Sequence, residues 1–166
     1  MYTKSQELLN TAVADELIAI HQYMYFHFHC DDQGYDLLAN LFKKTAIEEM
    51  LHVERLAERI LFLGGDVEMK VGGEVKTITD IKEILDTARG MEENSIKMYN
   101  KFANECAANS DSATKRIFED LVIDEEVHFD QYDTELGNMA KFGDRYLALQ
   151  SIERSKGRAA GGNADQ

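Results

Sequence analysis

Two short segments of the chain carry the same chemistry. Glu48-Glu49-Met50-Leu51-His52 and Asp124-Glu125-Glu126-Val127-His128 each contain a Glu-x-x-His. Residues three apart share one face of a helix, so Glu49 with His52, and Glu125 with His128, can each aim a carboxylate and an imidazole at one point. Oxygen with imidazole nitrogen suits iron, and would also accept manganese or zinc, while the lack of thiolate partners argues against a structural zinc or an iron–sulfur cluster. Two more carboxylates complete the pattern. Glu16 lies in Asp15-Glu16-Leu17-Ile18 and Glu92 in Met91-Glu92-Glu93, on faces otherwise used for packing. Glu16 precedes Glu49 by 33 residues and Glu92 precedes Glu125 by 33, and each is followed seven residues later by a tyrosine, Tyr23 or Tyr99. That doubled register favours Glu92 over Glu93 and predicts a site that repeats internally. Singly, such glutamates are usually solvated and such histidines hydrogen-bonded. Together on inward faces, four unpaired carboxylates would cost several kcal/mol each. Two divalent cations would neutralise them.

The elements that must hold these residues are helices. Leu8, Leu9, Ala12, Val13, Leu17, Ile20 and Met24 recur at three- and four-residue steps and predict a first helix over about 5–30. After Asp31-Asp32-Gln33-Gly34, the run from Leu38 to Leu63 predicts a second, ending at Gly64-Gly65. Thr79 and Asp80 are suitable N-caps for a third, which ends at Asn109-Ser110-Asp111-Ser112. A fourth follows over about 113–140, and a short fifth over 146–152. The first and third connections have only a few residues and join antiparallel neighbours. The middle one, residues 65–78, is long enough to stretch roughly 45 Å, against about 42 Å for a helix of this length. It can therefore run the whole bundle, leaving the second and third helices parallel. The expected fold is an all-α four-helix bundle in one domain, residues 1–153, with 154–166 a disordered tail.

Composition agrees. The chain has 166 residues, no proline and a formal net charge of −13, which argues against nucleic acid and anionic lipid as partners. No stretch approaches the length of an uncharged membrane span, and the first ten residues lack the pattern of a secretory signal, so a soluble cytoplasmic protein is expected. Cys30 and Cys106 have no Cys-x-x-Cys spacing and fall near opposite ends of antiparallel helices, predicting free thiols.

At these residues the sequence resembles the ferritin-like di-iron carboxylate proteins, most closely the bacterioferritins. The resemblance is carried by Glu16 to Tyr23 (ELIAIHQY), Glu48 to His52 (EEMLH), Ala57 to Gly65 (AERILFLGG) and Asp124 to His128 (DEEVH). It implies a ferritin-like bundle and a ferroxidase that binds two ferrous ions per subunit. It also implies oxidation by dioxygen or hydrogen peroxide, and storage of ferric mineral in a 24-subunit homo-oligomeric cage built from dimers. By position, Glu16, Glu49, His52, Glu92, Glu125 and His128 fall on the family's ligands, with Glu49 and Glu125 as bridges, and Tyr23 on its site-adjacent tyrosine, whose implied role is hydrogen bonding to the ligands or electron supply. Met50 falls on the axial ligand of a haem shared by two subunits, and projects about 100° from the di-iron face. The resemblance also implies an electron-donor ferredoxin as a partner. Leu56 and Gln131 stand where some members have aromatic residues, and Lys44 where some have an iron-binding histidine.

Two other functions use similar bundles. A rubrerythrin-like peroxide reductase usually carries a Cys-x-x-Cys module, missing from this sequence, and a further carboxylate at the place of Ser95. A passive metal-sequestering cage of the miniature type places its ligands across a subunit interface, whereas here all six lie in one chain.

Overall fold

Asp80 and Asp111 each begin a helix in the same way. The Asp80 carboxylate accepts from Glu83 N at 3.0 Å and that of Asp111 from Thr114 N at 3.1 Å, satisfying amide groups that the first turn leaves open. In the computed structural model, which describes residues 2–161, the helices are α1 (Thr3–Asp32), α2 (Asp36–Phe62), α3 (Ile81–Ala108), α4 (Ser112–Phe142) and α5 (Asp144–Gly161). Gly64, at φ +77°, takes the left-handed conformation that ends α2, where a side chain would be strained.

α1 packs antiparallel along α2, and α3 along α4; the two hairpins meet through α1 on α3 and α2 on α4. The crossover, residues 63–80, is tied to α1 along that helix's length. Asn10 bonds Asp66 O and Glu68 N, Gly72 N donates to Ala14 O at 2.9 Å, Gln22 pairs with both backbone groups of Lys76, and Gln33 donates to Thr79 O. The chain thus returns to the far end, and α2 and α3 run parallel as expected. A Cβ on Gly72 would lie 2.7 Å from Ala14 O, so only glycine lets the strap approach this closely.

The apolar core falls into two halves. One contains Leu9, Val13, Leu56, Ile60, Phe102 and Phe118; the other contains Phe26, Leu38, Phe42, Ile84, Leu85 and Tyr132. Cys106 packs in the first half and Cys30 in the second, both as free thiols. Burial pushes the Cys30 thiol up to about 12, which makes it a poor nucleophile.

The fifth helix differs from expectation. It extends through residues 154–161, where a disordered tail is expected, while 162–166 lie outside the described residues. Its polar residues dock it. Gln150 Oε1 accepts from Leu38 N at 3.2 Å, and Arg154 bonds Asp31 O and lies 3.4 Å from Asp36 Oδ1. These contacts have no apolar periodicity, so the sequence pattern did not reveal them. Among the described residues no helix is long and apolar enough to cross a membrane.

Candidate metal centre

Between the two apolar halves lies a polar layer to which each of the four long helices contributes. Glu16 sits on α1 between Val13 and Ala19, and Glu92 on α3 between Ala88 and Tyr99. Glu49 and His52 lie on α2 between Ala46 and Val53, and Glu125 and His128 on α4 between Leu121 and Tyr132. All six are buried, none more than 7 % exposed. The structure therefore brings together all six ligands expected from the sequence.

Their donor atoms converge in two overlapping groups, Glu16, Glu49, His52 and Glu125 in one, and Glu49, Glu92, Glu125 and His128 in the other, each with donor atoms within 4.8 Å of one another. Glu49 and Glu125 belong to both. His52 Nδ1 lies 2.8 Å from Glu49 Oε2, 3.4 Å from Glu16 Oε1 and 3.4 Å from Glu125 Oε1. His128 Nδ1 lies 3.0 Å from Glu125 Oε2 and 3.1 Å from Glu49 Oε1. Despite this crowding, neither oxygen of Glu49 nor Nδ1 of His52 has a hydrogen-bond partner of good geometry. Buried polar atoms aimed at a common point and not at one another are what a cation-binding set requires.

Outer contacts orient the inner atoms. His128 Nε2 lies 2.9 Å from Glu48 Oε2, and His52 Nε2 3.3 Å from Asp124 Oδ2, so each histidine is braced by the acidic residue preceding the opposite helix's central glutamate. A carboxylate holding the Nε2 proton leaves Nδ1 as the inward lone pair. Tyr23 donates to Glu92 Oε1, and Tyr99 donates to Glu16 Oε1 at 2.5 Å. Glu48, Asp124 and the contact of Tyr99 were not assigned from the sequence. The signal was present in the acidic pairs Glu48-Glu49 and Asp124-Glu125 and in the Tyr23/Tyr99 register. Helical spacing alone pairs Glu48 with His52, whereas the fold exchanges the partners between α2 and α4.

The electrostatics follow from burial. Glu16 and Glu92 are raised well above the ordinary carboxylate range, first by loss of solvation and then by the neighbouring Glu49 and Glu125. For His128, burial opposes the charged form, but the carboxylates of Glu125 and Glu49 outweigh it and push the imidazole up to about 11. His52 is raised for the same reason, by Glu125, Glu16 and Glu49. Burial would raise Glu125 too, yet the imidazoles of His128 and His52 beside it bring it to about 2. Protons thus take the place of cations in balancing the cluster.

Access is from the α2/α4 face. A cavity of about 350 Å³ there is lined by Lys44, Glu48, His52, Arg55, Asp124 and His128. Lys44 Nζ lies 3.6 Å from Glu48 Oε1 at this cavity. Leu56 is fully buried in the first apolar half, and Gln131 lines the cavity. On the opposite face Ser95 donates to Asp15 Oδ2 at 2.8 Å and so adds no carboxylate to the centre.

The ferritin-like domain family matches residues 6–142 of this sequence. The bacterioferritin of Desulfovibrio desulfuricans is 38% identical over 157 residues, covering 94% of this chain and 88% of the relative. That of Rhodobacter capsulatus is 33% identical over 144 residues, covering 86% and 89%. The chain belongs to the bacterioferritin family. An X-ray structure of the Desulfovibrio desulfuricans bacterioferritin, described with its diiron site in different catalytic states, superposes with a TM-score of 0.87 over 89% of this chain and 86% of that one, at 38% identity. The bacterioferritin-type bundle with its long crossover is therefore the observed fold. In this member of the family Met50 lies 53% exposed next to the buried Glu49, with Ile47 one turn earlier also exposed.

Proposed function

We propose that the protein stores iron, and that it does so by oxidising ferrous iron at a two-ion centre held by Glu16, Glu49, His52, Glu92, Glu125 and His128. The single observation that carries this reading is the pair of donor groups sharing Glu49 and Glu125. Two ferrous ions are the substrate. Their four positive charges balance four buried carboxylates, which removes the penalty of an unpaired acidic cluster. Glu49 and Glu125 would bridge the two ions, Glu16 and His52 would complete one coordination sphere, and Glu92 and His128 the other. The iron supplies the electrons that reduce dioxygen or hydrogen peroxide.

The chain's own residues do the rest. Glu48 and Asp124 hold the outer nitrogens of the imidazoles, fixing ring orientation and drawing protons away from Nδ1. Tyr23 and Tyr99 hold Glu92 and Glu16 against rotation, and the apolar halves exclude water from both ends. Ions enter and ferric product leaves through the α2/α4 cavity. The same reading places the protein in the cytoplasm, as dimers built into a 24-subunit cage whose lumen receives the mineral. A haem shared by two chains fits Met50, which is exposed beside the buried Glu49. Such a group would supply electrons for releasing stored iron, drawn from a ferredoxin-type donor.

Stopped-flow mixing of the protein with ferrous iron and dioxygen tests the central claim. Glu125→Ala, which removes a residue common to both donor groups, should abolish the fast phase while leaving far-ultraviolet dichroism unchanged. A wild-type rate in that variant would overturn the assignment. Hundreds of iron ions retained per assembly after aerobic loading are expected for storage, and about two per chain would refute it. Loss of a Soret band in Met50→Leu, with ferrous oxidation retained, is expected for the haem.

A further inference from the structure

The two tyrosines beside the centre occupy matching places in its two halves. Tyr23 is 1% exposed and Tyr99 is 0% exposed. Each donates its phenol hydrogen to the glutamate found in only one of the two donor groups, Tyr23 to Glu92 and Tyr99 to Glu16, and each packs in a different apolar half. Each ring also packs against an aromatic neighbour. Tyr23 lies 5.8 Å from the Tyr132 ring, and Tyr99 5.9 Å from that of Phe118.

A buried phenol can give up an electron only if its proton leaves with it, because a buried cationic ring would be unpaired. The proton needs an acceptor within hydrogen-bond reach. Tyr99 and Tyr23 have such an acceptor in a carboxylate oxygen. Tyr132 provides the contrast: it is equally buried and adjacent to Tyr23, yet its hydroxyl meets the side chain of Thr45 and donates to no carboxylate. Ring proximity alone therefore does not suit a tyrosine to electron donation here.

We propose that Tyr99 is a second one-electron donor to the centre, acting with Tyr23 so that dioxygen is reduced to water without release of hydrogen peroxide. This rests on reading the centre as a site of ferrous oxidation. Reducing one dioxygen to two waters takes four electrons and four protons and breaks the O–O bond. Two electrons come from two ferrous ions, which become ferric, and one each from Tyr23 and Tyr99. The two phenol O–H bonds break, each proton passing by way of Glu92 or Glu16 to the oxygen being reduced, so that both glutamates stay ionised, and the other two protons come from solvent. Two neutral tyrosyl radicals remain, and two further ferrous ions reduce them. With one tyrosine the count stops at three electrons.

Freeze-quench electron paramagnetic resonance after mixing two ferrous ions per chain with dioxygen, with hydrogen peroxide assayed in the same samples, tests this. Tyr23→Phe should keep a tyrosyl signal, as should Tyr99→Phe. The double variant should lose it and release close to one hydrogen peroxide per dioxygen consumed, with wild type releasing almost none. Cobalt binding and circular dichroism on each variant establish that the centre and fold are retained. If Tyr99 only positions Glu16, Tyr23→Phe will show no radical while still oxidising iron, and that result overturns the proposal. A signal persisting in the double variant overturns it too. Failure of the wild type to oxidise ferrous iron at all would remove the two-ion reading itself, a result distinct from either.

Discussion

Filling the centre with two divalent cations should expel at least two protons per chain, one each from His52 and His128, with Glu16 and Glu92 adding to the count. All four have raised affinities for protons, His128 to about 11, whereas Glu125, at about 2, has none to give near neutrality. A histidine must be neutral and a carboxylate ionised to ligate a metal, so each occupied proton site must be vacated. Each displaced proton makes the apparent binding constant about tenfold stronger per pH unit, so the one histidine proton per ion gives at least about tenfold per unit for each ion. Cobalt(II) is a suitable probe because it does not consume dioxygen on this timescale and reports its coordination by its visible spectrum. Calorimetric titrations at pH 6 and 7, each in two buffers of different ionisation enthalpy, give the proton count directly. Glu92→Gln, which cannot ionise, should lower that count. Fewer than two protons per chain in the wild type would mean that the imidazoles were already neutral, and would refute the account of charge balance.

Other perturbations have equally direct readouts. Asp111→Ala removes the N-cap of α4 and the partner of Arg59, whose Nη2 lies 2.8 Å from Asp111 Oδ1; thermal or denaturant unfolding should show a loss of about 2 kcal/mol. Gly72→Ala forces a Cβ against Ala14 O and should cost about 1–3 kcal/mol, with limited proteolysis moving to the crossover; unchanged protection there would be contrary to expectation. With metal removed, stability should fall as pH rises from 6.5 toward about 11. The folded chain there keeps the His128 proton that the unfolded chain releases, a stabilisation complete below 6.5 and lost through 11. Glu16 and Glu92, also raised, act in the same direction. Melting temperatures from pH 7 to pH 9.5 in chelator check the sign.

Much of this arrangement is legible in the sequence because the determinants are local or repeated. Asp80 marks the start of α3, the glycine pair at 64–65 the end of α2, and the two 33-residue spacings place the six charged residues in one layer. What was not legible depends on which helix lies opposite which. The exchange of Glu48 and Asp124 between the two histidines requires α2 and α4 to face each other at that level. The extension of α5 depends on Gln150 and Arg154 finding the α1–α2 turn, a contact between residues more than 110 apart with no periodic signature.

The charged layer that separates the apolar halves also limits how the bundle can assemble. In an all-leucine interface, one helix can slide past its neighbour by a turn, about 5.4 Å, and still bury apolar surface. Here the same slip in α1 would drive Glu16 out of the layer and into apolar packing, where an unpaired carboxylate costs several kcal/mol. The same holds for Glu49, Glu92 and Glu125 on the other three helices. Four helices with one polar rung apiece have one alignment in which all rungs meet. The residues assigned to iron therefore also serve as the bundle's alignment marks, and variants that replace them with leucine risk gaining thermal stability while losing a unique helix register.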